Sequence, residues 1–316
     1  MSNPYIRTVT GDVPIDTLGL FLPHEHLFTD LRGPSTPGYS QGDPAHVANV
    51  VLPHLQAIER QGVTALVECS TMGVGRNIVV LRHLASLTPI KIIAPTGVYK
   101  EGFIPVELLD LSVEALADLW VRDLTVGIDG TPSRAGFIKV GLVNDGPTEL
   151  EIRNLKAAVI ASQQTGAVIA SHTIGSAAAR REIAVLDSAG HDLHRFIWVH
   201  AQTGDHNAHV EAAQRGVWVE FDSIGAGNQV EQTALFEAVF AMIVRGFSAN
   251  LLLSHDAGWY DPSQPDGEPK PNGYRGYTTL VDQFIPALKA RGISDEIIHA
   301  ITVTNPAQAF AFAPLP

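Results

Sequence analysis

The sequence predicts a (β/α)8 barrel, the TIM-barrel architecture, as a single domain over residues 1–316. Short apolar runs alternate with longer amphipathic segments along the whole chain, which is the pattern of a parallel sheet covered by helices. Eight such runs can be counted, and the chain is long enough for the roughly 250 residues of this fold plus insertions. Side chains able to bind metal lie at or near the ends of five runs, and in a barrel those ends meet at one mouth.

The eight apolar runs are the predicted strands. They cover residues 18–24, 64–69, 90–97, 136–141, 167–172, 195–200, 217–222 and 250–256. Segments with helical spacing lie between them, as at residues 46–62, 147–166 and 230–246, the last of which ends at a glycine. An open doubly wound sheet is the alternative. We favour the barrel because the first and last strands of an open sheet would usually lie too far apart to share a metal.

Composition and charge narrow the class of protein. A chain with 45% hydrophobic and 17% charged residues is globular. Its formal net charge of -12 would repel nucleic acid and anionic membrane surfaces, so neither is expected as a partner. No apolar run reaches the about 18 residues of a membrane span, and the N-terminus lacks a signal-peptide pattern, which predicts a cytoplasmic protein. Cys69, the only cysteine, is interpreted as a packing residue and not as a nucleophile.

Six residues form a candidate binuclear metal site. His24 and His26 end the first run, and both point to the same side of a strand because side chains repeat every two residues. Alone this pair is weak evidence, since two histidines at a strand end can simply be hydrogen-bonded. The other four residues belong to later runs: Lys139, His172, His200 and Asp256. Glu25, between the two histidines, must face the other way and is expected to pack behind the site.

Lys139 is the unusual member of this set. An ammonium group has no lone pair, but burial favours the neutral amine of a lysine, which reacts with carbon dioxide to give a carbamate. The two carbamate oxygens could bridge two ions about 3.5–4 Å apart, the usual spacing in binuclear hydrolases. We therefore expect N6-carboxylysine at this position and two divalent metal ions per chain. Zinc is the favoured metal, with cobalt, manganese and iron as alternatives.

The six residues also predict a mechanism. His24, His26 and Asp256 are expected on one ion, His172 and His200 on the other, and the carbamate between them. Two cations acidify a shared water, so hydroxide is the expected nucleophile at neutral pH. Asp256 can bind metal and also accept the proton as hydroxide attacks, which makes it the predicted catalytic base.

Five motifs follow one another along the chain in a specific order. They are PHEH at 23–26, a lysine in the fourth strand, SH at 171–172, VH at 199–200 and LSHD at 253–256. This order resembles the phosphotriesterase family of the amidohydrolase superfamily, which includes phosphotriesterases and phosphotriesterase-like lactonases. The resemblance extends from GDVPIDTLGLFLPHEH to TNPAQAF. It implies the same six ligands, a carbamylated Lys139, and a place beside the metals for Tyr99, which matches a tyrosine of related lactonases.

The segments that decide substrate specificity match this family less closely. VEFDSIG at 219–225 departs from the arginine-bearing pattern of acyl-homoserine lactonases and is more similar to branches that act on sugar lactones or on unknown substrates. Within it, Asp222 is a candidate substrate-binding residue, the alternative being that it holds the barrel mouth. After the eighth strand, HDAGWY carries no cation before Lys270 and Arg275, which argues against a phosphorylated sugar lactone.

Aromatic residues are expected to form an apolar pocket at the mouth. The residues predicted to contact the substrate are Tyr99, Trp259 and Tyr260, with Phe103 beside them. The loop after the seventh strand is predicted to be short, from Gly225 to about Gln229. Residues 258–277, rich in proline, glycine and charge, are interpreted as a lid over the site.

The remaining histidines and one acid are assigned no firm role. Asp205, five residues after His200, is the acid available for a proton relay, and its role stays open. The histidines interpreted as surface residues are His54, His83, His191, His194, His206, His209 and His299.

The favoured function is hydrolysis of a small-molecule lactone or related carboxylic ester, with weak phosphotriesterase side activity. One alternative is a phosphotriesterase, an aryldialkylphosphatase acting on organophosphate triesters. An adenosine-deaminase-like enzyme shares the His-x-His pair but needs no lysine in the fourth strand. A metal-stabilised barrel that only binds would keep the ligands without turnover. The oligomeric state stays open, with a homodimer as one alternative.

Overall fold

The structure, a computed structural model, describes residues 3–312. Two antiparallel strands open the chain, β1 (Tyr5–Thr8) and β2 (Gly11–Pro14). The backbone N–H of Phe312 donates to the Tyr5 carbonyl, and the two rings stack with centroids 5.5 Å apart. Ile6 of β1 packs into the apolar cluster inside the barrel. The hairpin therefore ties the start of the described chain to its end and to the barrel interior.

Within residues 3–312, the eight apolar runs form parallel strands, the third in two pieces separated by Ala94. They are β3 (Leu20–Glu25), β4 (Val63–Glu68), β5 (Lys91–Ile93) with β6 (Pro95–Thr96), β7 (Phe137–Gly141), β8 (Ile169–His172), β9 (Phe196–Val199), β10 (Trp218–Phe221) and β11 (Leu251–Leu253). Hydrogen bonds pair them in chain order, β3 to β4 to β5 and then β6 through to β11. The predicted strands are confirmed, although most are shorter than the apolar runs.

The barrel closes where the last strand meets the first. The backbone N–H of His24 donates to the Ser254 hydroxyl at 3.1 Å, and that of Asp256 donates to the His24 carbonyl at 3.2 Å. One step further, the N–H of His26 donates to the Ala257 carbonyl at 2.8 Å. The first and last strands are therefore neighbours, as a barrel requires and an open sheet does not allow.

Helices lie outside the strands. They are α1 (Pro44–Arg60), α2 (Ile78–Leu87), α3 (Val106–Leu109), α4 (Val113–Thr125), α5 (Glu149–Thr165), α6 (Ser176–Ser188), α7 (His206–Gln214), α8 (Gln229–Val244), α9 (Ile285–Ala290), α10 (Asp295–His299) and α11 (Asn305–Ala309). The three predicted helical segments correspond to α1, α5 and α8. Capping boxes at Thr148 and Asn228 fix the starts of α5 and α8. No helix in the described part of the chain is long and apolar enough to cross a membrane.

Two apolar clusters form the core, one inside the barrel and one between the strands and the helices. Strand β7 shows how alternation divides its side chains between them. Phe137 packs inside the barrel, whereas Ile138 and Val140 pack outward against the helices. Lys139, the middle residue of β7, therefore points inward.

Candidate metal centre

An irregularity in β3 turns both histidines of the first motif into the barrel. Phe21 packs in the interior and Leu22 packs outside, so strict alternation would point His24 outward. The pairing of β3 with β4 shifts register between Leu22 and Glu25, as at a β-bulge. His24 and His26 then face the mouth together, with ring centroids 5.4 Å apart. Their predicted common orientation is confirmed.

Asp256 lies against both of these histidines. Its Oδ1 atom is 3.0 Å from Nε2 of His26 and 3.5 Å from Nε2 of His24. Among the residues that the structure describes, this oxygen has no hydrogen-bond donor of acceptable geometry. Three atoms able to offer lone pairs therefore converge in the way that the ligands of a cation do.

His172 and His200 form the opposite side of the site. Their ring centroids are 4.5 Å apart, and the His200 ring is 5.3 Å from that of His24. The Tyr99 hydroxyl lies 3.2 Å from Nδ1 of His172. Five of the predicted ligands, from four different strands, are thus brought together at one end of the barrel.

Three residues of the site have left-handed backbone conformations. The φ angles are +64° at His200, +50° at Asp256 and +76° at Trp259. Val199 packs inside the barrel, so the next side chain of a regular strand would face outward, and the turn at His200 brings its ring back into the mouth. Each such conformation costs on the order of 1–3 kcal/mol for a residue other than glycine. The surrounding contacts hold these side chains where a relaxed strand would not.

Lys139 is buried in the middle of this group. Its side chain lines the same cavity as the four histidines, and the residue is 3% exposed. Within residues 3–312, its Nζ atom has no hydrogen-bond partner. A buried amine without a hydrogen-bond partner destabilises the folded protein. This indicates that a further group, bound to or beside the lysine, interacts with it.

Hydrogen bonds to the Nδ1 atoms orient three of the imidazoles. Nδ1 of His24 lies 2.7 Å from Glu220, that of His26 lies 2.7 Å from the Ser70 hydroxyl, and that of His200 lies 2.8 Å from Asp222. Partners of this kind fix the tautomer and direct Nε2 toward a metal. Sequence reasoning missed Glu220 and Ser70, although two-residue alternation in VEFD places Glu220 on the same strand face as Asp222.

The charges around the site keep two histidines neutral. Burial, reinforced by the nearby Lys139, lowers the pKa of His24 to about 3. Burial and the neighbouring His200 hold the pKa of His172 well below its ordinary value. For His200 burial acts in the same direction, but the Asp222 carboxylate outweighs it and raises the pKa. Neutral imidazoles are the form that binds metal.

The carboxyl groups divide into ionised and protonated members. Burial opposes ionisation of Asp256, but His24 and His26 outweigh it and hold the pKa of its carboxyl below the usual range. Burial and the adjacent Asp222 carboxylate instead raise the pKa of Glu220 well above its ordinary value. Asp256 is therefore an anion at neutral pH, as a metal ligand and proton acceptor must be.

Glu25 supports the loop that carries Asp256. Its buried carboxylate accepts hydrogen bonds from the Ser254 hydroxyl, the His255 backbone and ring, and the Ala257 backbone. The expectation that Glu25 packs behind the site is confirmed. Arg275 adds to this support by donating to the carbonyls of His255 and Asp256.

A second buried acid lies behind β8. The Thr173 hydroxyl donates to Glu182 of α6 at 2.5 Å, and the other carboxyl oxygen has no partner among the described residues. Burial raises the pKa of Glu182 to about 7, although hydrogen bonds from Ser171 and Thr173 act in the opposite direction. This group lies on the helix side of the strand, away from the cavity.

The residues at the mouth fit a pair of divalent ions. The donor set consists of imidazole nitrogens and a carboxylate, which suits zinc and similar metals. The unpartnered Oδ1 of Asp256 and the unpartnered Nζ of Lys139 are the two buried polar atoms that such ions, with a carbamate on the lysine, would satisfy. His24, His200 and Asp256 also offer ligand atoms within 4.8 Å of one another.

A small cavity of about 70 Å³ opens beside these side chains. Apolar and aromatic residues form much of its wall, including Leu31, Val74, Tyr99 and Trp259. The Trp259 ring meets the His26 ring edge to face, with centroids 5.2 Å apart. Tyr99 and Trp259 are therefore placed at the cavity as predicted.

Two predicted substrate contacts lie elsewhere. Asp222 is fully buried, and its carboxylate accepts from the backbone and ring of His200 and from Gln202, so it holds the barrel mouth and has no access to substrate. Tyr260 turns away from the cavity to stack on Phe28, and its hydroxyl lies 2.5 Å from Nδ1 of His46. The left-handed turn at Trp259 sends the next side chain in this direction.

The two loops next to the cavity differ in length as predicted. Residues 222–228 join β10 to α8, so the seventh loop is short. The long eighth loop is fixed at its base, where Gly258 pairs with Arg275 and the Tyr277 hydroxyl donates to the His26 carbonyl at 2.9 Å. Lys270 pairs with Asp266 on the exposed outer part. Movement of that outer part as a lid stays a prediction.

Several other expectations are decided by burial. Asp205 caps α7 and is half exposed, with Arg180 as its ionic neighbour. His191 and His209 are buried, and their interpretation as surface residues was wrong. His209 lies among the alanines of the inner face of α7, where Nε2 donates to the Ala201 carbonyl. Cys69 is buried, and burial raises the pKa of its thiol well above the usual value, which disfavours the thiolate that a nucleophile requires.

Known proteins share this fold and sequence. A sequence model of the Phosphotriesterase family matches residues 4–310. The chain belongs to the phosphotriesterase family. A phosphotriesterase homology protein from Escherichia coli is 30% identical over 93% of this chain and 99% of its own length. An aryldialkylphosphatase from Saccharolobus solfataricus is 27% identical over 93% of this chain and 95% of its own.

A solved structure shows the same architecture. A mutant of a phosphotriesterase-like lactonase from Deinococcus radiodurans superposes with a TM-score of 0.86 at 28% identity, covering 96% of this chain and 99% of the other. As a member of the phosphotriesterase family, the protein is a metal-dependent hydrolase, and the family uses binuclear centres. The resemblance predicted from the motifs is confirmed, as is the barrel fold.

Proposed function

We propose that the protein hydrolyses a lactone or a related carboxylic ester at a binuclear centre. The proposed ligands are His24, His26, Lys139, His172, His200 and Asp256, with Lys139 carbamylated. The observation that carries the proposal is the cavity of about 70 Å³ that ends on these side chains. A small ring fits such a space better than a triester with three bulky arms.

The wall of the cavity also favours a neutral substrate. Apart from Lys139, the described residues that line it include no lysine or arginine. Arg275 is committed to the carbonyls of His255 and Asp256, and Lys270 to Asp266 on the outer loop. The two cations of the eighth loop therefore offer nothing to a phosphate on the substrate.

The roles of the residues follow from their positions. Two divalent ions bound here would lower the pKa of a shared water and polarise the scissile bond. Asp256, an anion at neutral pH, would bind one of these ions and accept the proton released by the nucleophile. The Tyr99 hydroxyl and the Trp259 ring confine the substrate beside the histidines and exclude bulk water.

A substrate panel tests the proposal. Protein reconstituted with zinc and bicarbonate is assayed against simple lactones, sugar lactones, aryl esters and paraoxon. We expect kcat/KM for at least one lactone to exceed that for paraoxon more than about tenfold, which corresponds to roughly 1.4 kcal/mol of transition-state binding. The H200A variant should lose the activity, and the control H194A, which changes an exposed histidine, should keep it.

The named relatives supply the competing outcome. If paraoxon is cleaved efficiently while no lactone or ester is turned over, the protein is a phosphotriesterase like the relative from Saccharolobus solfataricus. If the protein holds two metals and turns over nothing in the panel, the lactonase proposal is refuted and the binding-barrel alternative gains support.

A further inference from the structure

Glu220 is a buried acid inside the barrel that takes no part in the chemical steps of the proposed reaction. It lies in β10, where it pairs with Leu252 of β11, and it is 1% exposed. Its neighbours Val219 and Phe221 are apolar and pack outward. A carboxyl group in such a place is costly unless its oxygens are hydrogen-bonded, so its partners explain why it is present.

Glu220 lies beside residues from both sides of the proposed metal site. Its Oε1 atom lies 2.7 Å from Nδ1 of His24. Oδ2 of Asp222 lies 3.2 Å from the same nitrogen, while Oδ1 of Asp222 lies 2.8 Å from Nδ1 of His200. The ligand atoms of His24, Glu220 and Asp222 are all within 4.8 Å of one another. Two adjacent carboxyl groups thus connect a histidine of one half-site with a histidine of the other.

The hydrogen bonds around Asp222 define what Glu220 must provide. Asp222 accepts from the backbone N–H of His200, from the ring of His200 and from Gln202, so it acts as an acceptor. Nδ1 of a metal-binding histidine donates, so the Glu220 oxygen that lies 2.7 Å from Nδ1 of His24 accepts. The carboxyl group of Glu220 also lies beside that of Asp222, with ligand atoms within 4.8 Å of one another.

We propose that Glu220 is a positioning residue for the metal centre. By accepting from Nδ1 of His24 and lying against Asp222, it holds the imidazoles of His24 and His200 in one fixed arrangement. The two imidazoles then keep a fixed orientation relative to each other. Loss of Glu220 removes the hydrogen bond to His24 and therefore affects the orientation of His24 first. This inference rests on the binuclear centre proposed above.

Two substitutions separate a hydrogen-bonding bridge from a charged or merely space-filling residue. The amide side chain of E220Q can still accept from His24 and donate toward Asp222. E220M keeps the length and apolar bulk but can do neither. Removing a residue that hydrogen-bonds a metal-binding histidine lowers metal affinity by about 10- to 100-fold. We therefore expect E220M to bind its weaker zinc ion about 10- to 100-fold less tightly and E220Q to remain within about threefold of wild type.

The measurement is a chelator competition for zinc, with the visible spectrum of the cobalt-substituted protein as a second readout. E220M should change the cobalt spectrum and E220Q should restore that of the wild type. The control is E182Q, because Glu182 is equally buried but lies behind β8 with no contact to a metal-ligating ring. Its metal affinity and cobalt spectrum should be unchanged.

The outcomes distinguish this inference from the proposed reaction. E220M with wild-type zinc affinity and an unchanged cobalt spectrum would overturn the positioning role, as would an E220Q variant as impaired as E220M. Wild-type protein that holds two metals but has no turnover would refute the proposed reaction and leave the Glu220 result standing. If E220M does not fold, NMR of zinc-loaded protein with isotope-labelled histidine tests the hydrogen bond directly through the Nδ1–H proton of His24. We expect this resonance to be protected from exchange in wild type and E220Q, and its absence from both would refute the hydrogen bond.

Discussion

Replacing Lys139 by methionine should stabilise the metal-free protein but make the protein less stable than wild type when metal is present. In the metal-free protein, the lysine leaves a buried nitrogen without a partner among the described residues, which costs about 1–3 kcal/mol. Methionine removes that nitrogen and fills a similar space. We therefore expect K139M to raise the free energy of unfolding of the chelated protein by about 1–3 kcal/mol, and to raise its melting temperature accordingly.

With metal present, the wild type should be more stable than K139M. Ligands that bind only the folded state stabilise it by about 2.7 kcal/mol at a hundredfold excess over Kd, and K139M loses the bridge on which that affinity depends. The assay is thermal and urea unfolding of both proteins, first with chelator in carbonate-free buffer and then with zinc and bicarbonate. The control K156M changes an exposed lysine of α5 and should shift neither curve by more than about 0.5 kcal/mol. A K139M protein that is less stable than wild type under both conditions, or that still holds two metals, would refute the bridging carbamate.

Three further outcomes are expected. D256N keeps an oxygen for the metal but cannot accept a proton, so kcat should fall by about 10²- to 10⁴-fold with the fold intact, and near wild-type turnover would remove Asp256 from the mechanism. W259A opens the cavity wall and should narrow the ratio of kcat/KM for lactone over paraoxon, and an unchanged ratio would mean that Trp259 does not select the substrate. Glu182 has a folded-state pKa of about 7 against an unfolded value near 4.5, so its contribution to stability is present below about pH 4.5 and is lost as pH rises through 7. E182Q should therefore gain up to about 3 kcal/mol over wild type between pH 4.5 and 8 in urea unfolding, and a pH-independent difference would show that Glu182 does not titrate in this range.

The proposed metal ligands could be picked out from the sequence because each combines an unusual residue type with a position in or beside a strand. His24 and His26 are separated by the repeat of a strand, and Lys139 interrupts an apolar run where a plain lysine would be expensive. The barrel then follows from the need to bring the first and last runs together. Such reasoning does not depend on local backbone detail.

The predictions that were wrong depended on such detail. The orientation of His24 was predicted correctly, but strict alternation from Phe21 would turn it outward, and the register shift in β3 places it in the mouth. Tyr260 was assigned to the pocket because it is next to Trp259, but a left-handed backbone at Trp259 sends the tyrosine ring onto Phe28. A non-glycine residue with positive φ is held by its surroundings and leaves no mark in the sequence. Glu220, by contrast, could have been found from the alternation of VEFD.

The seam between β11 and β3 has a consequence for the order in which this protein matures. The hydrogen bond from His24 to Ser254 spans 230 residues, and Asp256 binds beside His26 across the same seam. While the chain is being synthesised, strands β4 to β10 can pair with their neighbours, but the first half-site lacks its carboxylate until the eighth strand has left the ribosome. Closing a loop of that length is among the last steps of folding. The proposed metal centre is therefore complete only once the eighth strand has joined the first.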